Sequence, residues 1–64
     1  MKYEYMKIED FKLLSIGITA DDWTWLYNQP DVEYRHDYCC FFVLKGSPTH
    51  TAITIKLGDV FEKA

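Results

Sequence analysis

The chain has little of what nucleic-acid binders, membrane proteins and secreted domains are built from. Its 64 residues include a single arginine, Arg35, and seven Lys and Arg stand against ten Asp and Glu, for a net charge of −3. Neutralisation of phosphate by basic side chains supplies most non-specific affinity for nucleic acid, so direct nucleic-acid binding is disfavoured. No apolar run approaches the roughly 20 residues that a membrane span needs, and no signal-peptide pattern opens the sequence. No membrane association is expected. The only cysteines, Cys39 and Cys40, are neighbours, and bridged cysteines normally lie further apart than the ~3.8 Å between consecutive Cα atoms. Reduced thiols and no leader predict a cytoplasmic protein. With no linker, repeat or low-complexity stretch, residues 1–64 read as a single domain.

What the chain does have is rings. Four Phe, five Tyr and two Trp are the visible means by which a domain this small can build a core, since a chain of about 60 residues buries only about 60% of its unfolded surface. Large rings bury much area per residue.

Residues 2–8, KYEYMKI, favour a strand with Tyr3 and Tyr5 on one side and Met6 and Ile8 on the other. Over 9–16, Ile8, Phe11, Leu14 and Ile18 suit a helix, while Leu14, Ile16 and Ile18 alternate like a strand. Acidic residues in front and Gly17 behind favour the helix. Thr19 is a good N-cap, and Asp21 and Asp22 lie where the helix dipole favours negative charge. A helix over 20–28 follows, with Trp23, Leu26 and Tyr27 on one stripe and Pro30 closing it.

In residues 32–45 the even positions Val32, Tyr34, His36, Tyr38, Cys40, Phe42 and Leu44 form a largely apolar face, with Glu33, Arg35 and Asp37 opposite. After Gly46-Ser47-Pro48-Thr49, the segment TAITIKL alternates again. Pairing Lys45 with His50 would set Phe42 beside Ile53 and Cys40 beside Ile55, aligning both apolar faces. The expected fold is therefore α+β: an N-terminal strand, one or two short helices, then a long antiparallel β-hairpin, the helices packed on one face of the sheet. The expected core is Ile8, Phe11, Leu14, Ile18, Trp23, Leu26, Tyr38, Cys40, Phe42, Ile53, Ile55 and Leu57. Phe41 and Val43 would then point outward as a sticky patch that, with the exposed hairpin edge, predicts a homodimer or a partner contact.

Residues 13–26, LLSIGITADDWTWL, are similar to a helix-turn-helix motif, with Gly17 in the turn. Charge speaks against DNA reading: Glu9, Asp10, Asp21 and Asp22 outweigh Lys12, and the second helix has no basic residue. A winged-helix-like DNA-binding regulator, with Lys45, His50, Lys56 and Lys63 as a basic strip, is the alternative. His36, Asp37, Cys39, Cys40 and His50 do not converge on a metal when laid on straight strands, and His36 and Cys40 would lie about 13 Å apart along one. Neither metal, cofactor nor enzyme activity is expected. The remaining feature is acid interleaved with aromatic residues, the composition of a surface that docks on a basic partner. The expected function is a small interaction module that inhibits or modulates a larger enzyme or nucleoprotein through its basic surface. In size and charge it parallels virus- and mobile-element-encoded inhibitors. The expected contacts are Asp21, Asp22 and Trp25 on the helix, Glu33, Arg35 and Asp37 on the polar sheet face, and Phe41 and Val43.

Overall fold

The computed structural model describes residues 3–62; Lys2, the first residue of the expected strand, and Lys63 of the basic strip lie outside them. The elements run β1 (Tyr5–Glu9), α1 (Asp10–Ser15), α2 (Ala20–Tyr27), β2 (Val32–Arg35), β3 (Cys40–Leu44) and α3 (Pro48–Leu57). The three strands form one antiparallel sheet in the order β1-β3-β2. The architecture is α+β, with the helices gathered on one face of the sheet.

Local signals explain where the helices begin and end. Gly17, at φ +72°, closes α1. Its N–H donates to the Leu14 carbonyl, and the N–H of Ile18 donates to that of Leu13. This is the Schellman arrangement, which favours glycine at the left-handed position. Thr19 caps α2: the Asp22 N–H donates to Thr19 Oγ1 at 3.1 Å. Ser47 caps α3 in the same way, its Oγ accepting from the His50 N–H at 3.1 Å, with Pro48 opening the helix.

Buried Ile8, Leu13, Leu26, Phe41, Val43, Ile53, Val60 and Phe61 make the core, with Trp23 and Tyr34 packed against it. Trp23 meets Phe41 edge-on at 5.1 Å between ring centroids. The sheet contributes Ile8 of β1 and its register partner Phe41 of β3, and Val43 beside Met6 and Val32. Each element thus adds one or two large side chains to a single layer.

Three expectations are corrected. Residues 51–57 are not the second arm of the hairpin but most of α3; Gly46-Ser47-Pro48 is a helix start, with a hydroxyl cap followed by proline in the first turn. The hairpin instead joins β2 to β3 around residues 36–39. That turn shifts the alternation by one, because Arg35 stands opposite Cys40 and Tyr34 opposite Phe41. Even positions of β2 therefore share a face with odd positions of β3. Phe41 and Val43 are consequently core residues, not an outward patch, and Phe42 lies on the other face. Phe11, Leu14, Tyr38 and Ile55, expected inside, are exposed, whereas Leu13, Val60 and Phe61 are inside.

Candidate functional site

The helices leave the second face of the sheet open. Residues directly opposite in an antiparallel ladder share a face, so Tyr5 beside Leu44, Lys7 and Glu33 on either side of Phe42, and Arg35 beside Cys40 all point away from the helices; of these only Cys40, at the start of β3, is fully buried. Tyr5 is 59% exposed, and Phe42 and Leu44 are half-buried. The exposed Tyr38 of the hairpin turn extends the strip, its ring 6.3 Å from that of Phe42. Tyr5, Glu33, Arg35 and Phe42 line a shallow depression of about 280 Å³.

The cations of this face are already matched by carboxylates. Lys7 Nζ lies 3.0 Å from Glu62 and 3.8 Å from Glu9; the hydrogen bond and charge of Glu62 hold its ammonium above the usual lysine range. The Arg35 guanidinium is 3.6 Å from Asp37 and 5.5 Å from the centroid of the Tyr38 ring. Glu33 takes part in none of the ion pairs among the described residues. A partner approaching this face meets rings and surplus negative charge.

The acidic residues of α2 belong to a different surface, because α2 packs on the covered face. Lys56 of α3 places its Nζ 3.7 Å from Asp22 Oδ1 and 5.4 Å from the centroid of the Trp25 ring. Asp22 and Trp25 are therefore engaged within the chain, by an ion pair and a cation–π contact. Asp21 remains exposed and outside these pairs. The helix pair of the helix-turn-helix pattern does form, yet its second helix presents acid and carries no basic residue. Of the basic strip, Lys45 pairs with Glu4 at 3.3 Å and Lys56 with Asp22. His50 is half-buried, its Nδ1 accepting from the Gly46 N–H at 3.0 Å and its ring against Phe61.

One polar contact joins distant elements. The Tyr34 hydroxyl of β2 donates to Asp10 Oδ2 at the start of α1, at 2.5 Å, while the Asp10 N–H donates to the Cys39 carbonyl in the hairpin turn. Hydrogen bonding to Asp10, then burial, then the carboxylate charge push the Tyr34 hydroxyl up to about 12. Asp10 Oδ1 is buried without a partner among the described residues, so this carboxylate depends on Tyr34. The pair ties β1 and α1 to the hairpin.

Burial pushes the Cys40 thiol up, away from the thiolate a nucleophile needs. Cys39 is exposed in the turn, at φ +51°, and His36, expected on the same strand face as Cys40, lies in the same turn with its ring 4.8 Å from that of Tyr34. No group of three His, Cys, Asp or Glu among the described residues can hold a metal ion. No helix there is long and apolar enough to cross a membrane.

Of the residues expected to contact a partner, Glu33, Arg35 and Asp37 lie on or beside the open face, Asp21, Asp22 and Trp25 on the α2 surface, and Phe41 and Val43 inside the core. Tyr5, Phe42 and Leu44, the apolar members of the open face, escaped sequence reasoning. The signal that could have found them was the parity of the turn. The chain matches no protein-family model, no curated protein and no solved structure. Its own geometry carries the functional argument.

Proposed function

We propose that the protein is an acidic binding module whose open sheet face docks on a basic surface of a larger protein and, by covering it, inhibits or modulates that partner. The observation that supports this reading is the strip of Tyr5, Phe42, Leu44 and Tyr38, uncovered by any helix and bordered by Glu33 and Asp37. Interface centres are rich in such rings, and charge complementarity steers encounter and selects partners. The exposed acid of α2 extends the negative field but contributes no comparable apolar area.

The experiment is capture from the native cell with the immobilised protein, identification of the retained protein, and titration of that purified partner. Phe42→Ser and Asp37→Lys should each weaken binding about tenfold or more, and raising salt should weaken it further. Unchanged affinity in both variants overturns the proposal for this face. Loss of binding only in Asp21→Lys would move the contact to α2. Salt-sensitive binding of duplex DNA at low ionic strength would instead favour the DNA-binding alternative.

A further inference from the structure

The outer edge of β2 carries unpaired backbone at Tyr34 among the described residues. Within the hairpin, the Arg35 carbonyl accepts from the Tyr38 N–H, and the Asp31 carbonyl accepts from the Leu44 N–H. Residues 31, 33 and 35 thus direct their main-chain groups toward β3, and alternate residues direct theirs outward. The Val32 N–H is taken by the Gln29 carbonyl at 3.2 Å. The Tyr34 N–H and carbonyl face out, and no backbone bond among the described residues reaches them. The edge of β1 differs: there the Glu62 N–H donates to the Lys7 carbonyl at 2.8 Å, so the chain covers part of it.

From this we infer that β2 is a self-recognition edge: two copies of the chain pair antiparallel about a two-fold axis through Tyr34, joining their sheets into one of six strands. Charge selects both the occupant and the register. Centring on Tyr34 sets Glu33 of each copy opposite Arg35 of the other, on the same face, while the two Tyr34 residues exchange N–H to carbonyl bonds. Centring on Glu33 or on Arg35 would set like charges face to face, and a one-residue shift would set core-facing side chains against the open face. Glu33, exposed and in no ion pair among the described residues, gains a cation. Tyr27, exposed and 5.8 Å from Tyr34 between ring centroids, stands beside this edge and can add apolar area. The interface is isologous, so each substitution acts twice. It uses the edge of the sheet and stands independently of what the open face binds.

The test is the mass of the purified protein by sedimentation equilibrium up to millimolar concentration, with no other protein present. The wild type should approach twice its 7.6 kDa chain mass. Glu33→Arg alone and Arg35→Glu alone each replace two attractions with two repulsions and should raise the dimer dissociation constant about tenfold or more. The double swap E33R/R35E restores opposite charges and should return to within about threefold of wild type. Far-ultraviolet circular dichroism establishes that each variant is folded, and both charges are exposed, so unfolding is not the expected cause of any loss. A monomeric wild type overturns the proposal and leaves the edge to a strand of another protein. A dimer indifferent to the single reversals, or one not rescued by the swap, overturns it equally.

Discussion

Phe41 and Phe42 are adjacent in the chain and identical in chemistry, yet one is sealed in the core and the other lies on a face that no helix covers. Around Phe41 the fold gathers Leu13 from α1, Leu26 from α2, Ile53 from α3, and Val60 and Phe61 from the C-terminal segment. Around Phe42 it sets Lys7, Glu33 and Tyr5. A chain of this length has enough large apolar side chains to close one side of a three-stranded sheet. The second side is left with rings and charge, which suits recognition better than folding.

Truncation of the two rings should therefore separate stability from binding. Phe41→Ala removes the largest fully buried side chain and should cost about 3–5 kcal/mol. That approaches the whole stability of a small domain, so the variant should be largely unfolded in water. Phe42→Ser should cost less than about 1 kcal/mol, as surface substitutions usually do. Denaturant titration followed by tryptophan fluorescence compares them. Equal losses would mean that both faces are packed, and the proposed docking face would be lost with them.

Tyr34 belongs to the covered side but works through a polar group, so its contribution should depend on pH. Tyr34→Phe leaves the Asp10 carboxylate, already unsatisfied at one buried oxygen, without its donor, at a cost of about 1–3 kcal/mol. The Tyr34 hydroxyl is raised from 10.0 to about 12 in the folded chain. A raised folded value stabilises fully below the unfolded value, so this contribution should be intact below about pH 10 and lost as pH climbs toward 12. Denaturation midpoints between pH 8 and pH 12 should fall less steeply in Tyr34→Phe than in the wild type. Parallel curves would remove the Asp10 contact from the ledger of stability.

Much of this was legible in the sequence where one signal acted alone. Thr19 before Ala20-Asp21-Asp22 marked α2, and Gly17 marked the end of α1, because capping and left-handed geometry are local requirements. The face of β3 was not legible by alternation, since Cys40 through Leu44 is apolar at every position and only the turn at 36–39 sets its phase. Asp10 and Tyr34 lie 24 residues apart, beyond the reach of any periodic pattern. Glu33, Arg35 and Asp37 were found as an outward group because their own charge places them. Of the rings that accompany them, Tyr38 and Phe42 read as core from the sequence because a ring suits either environment.

The segment 51–57 misleads most, and it supplies the finest test of the two faces. Thr51, Ile53, Ile55 and Leu57 alternate as a strand would, and in a strand Ile53 and Ile55 would be buried together. In α3 two residues are more than half a turn, so Ile53 enters the core while Ile55 stays 81% exposed. Thr49 and Ile53 are buried and Leu57 half-buried, and their spacing by four is that of one helical stripe. Ile55→Ser should then change stability by no more than about 0.5 kcal/mol, because serine and isoleucine have similar helix propensities and little area is lost. A loss above about 2 kcal/mol, the scale of a core truncation, would bury Ile55 and make the alternation of TAITIKL a strand after all.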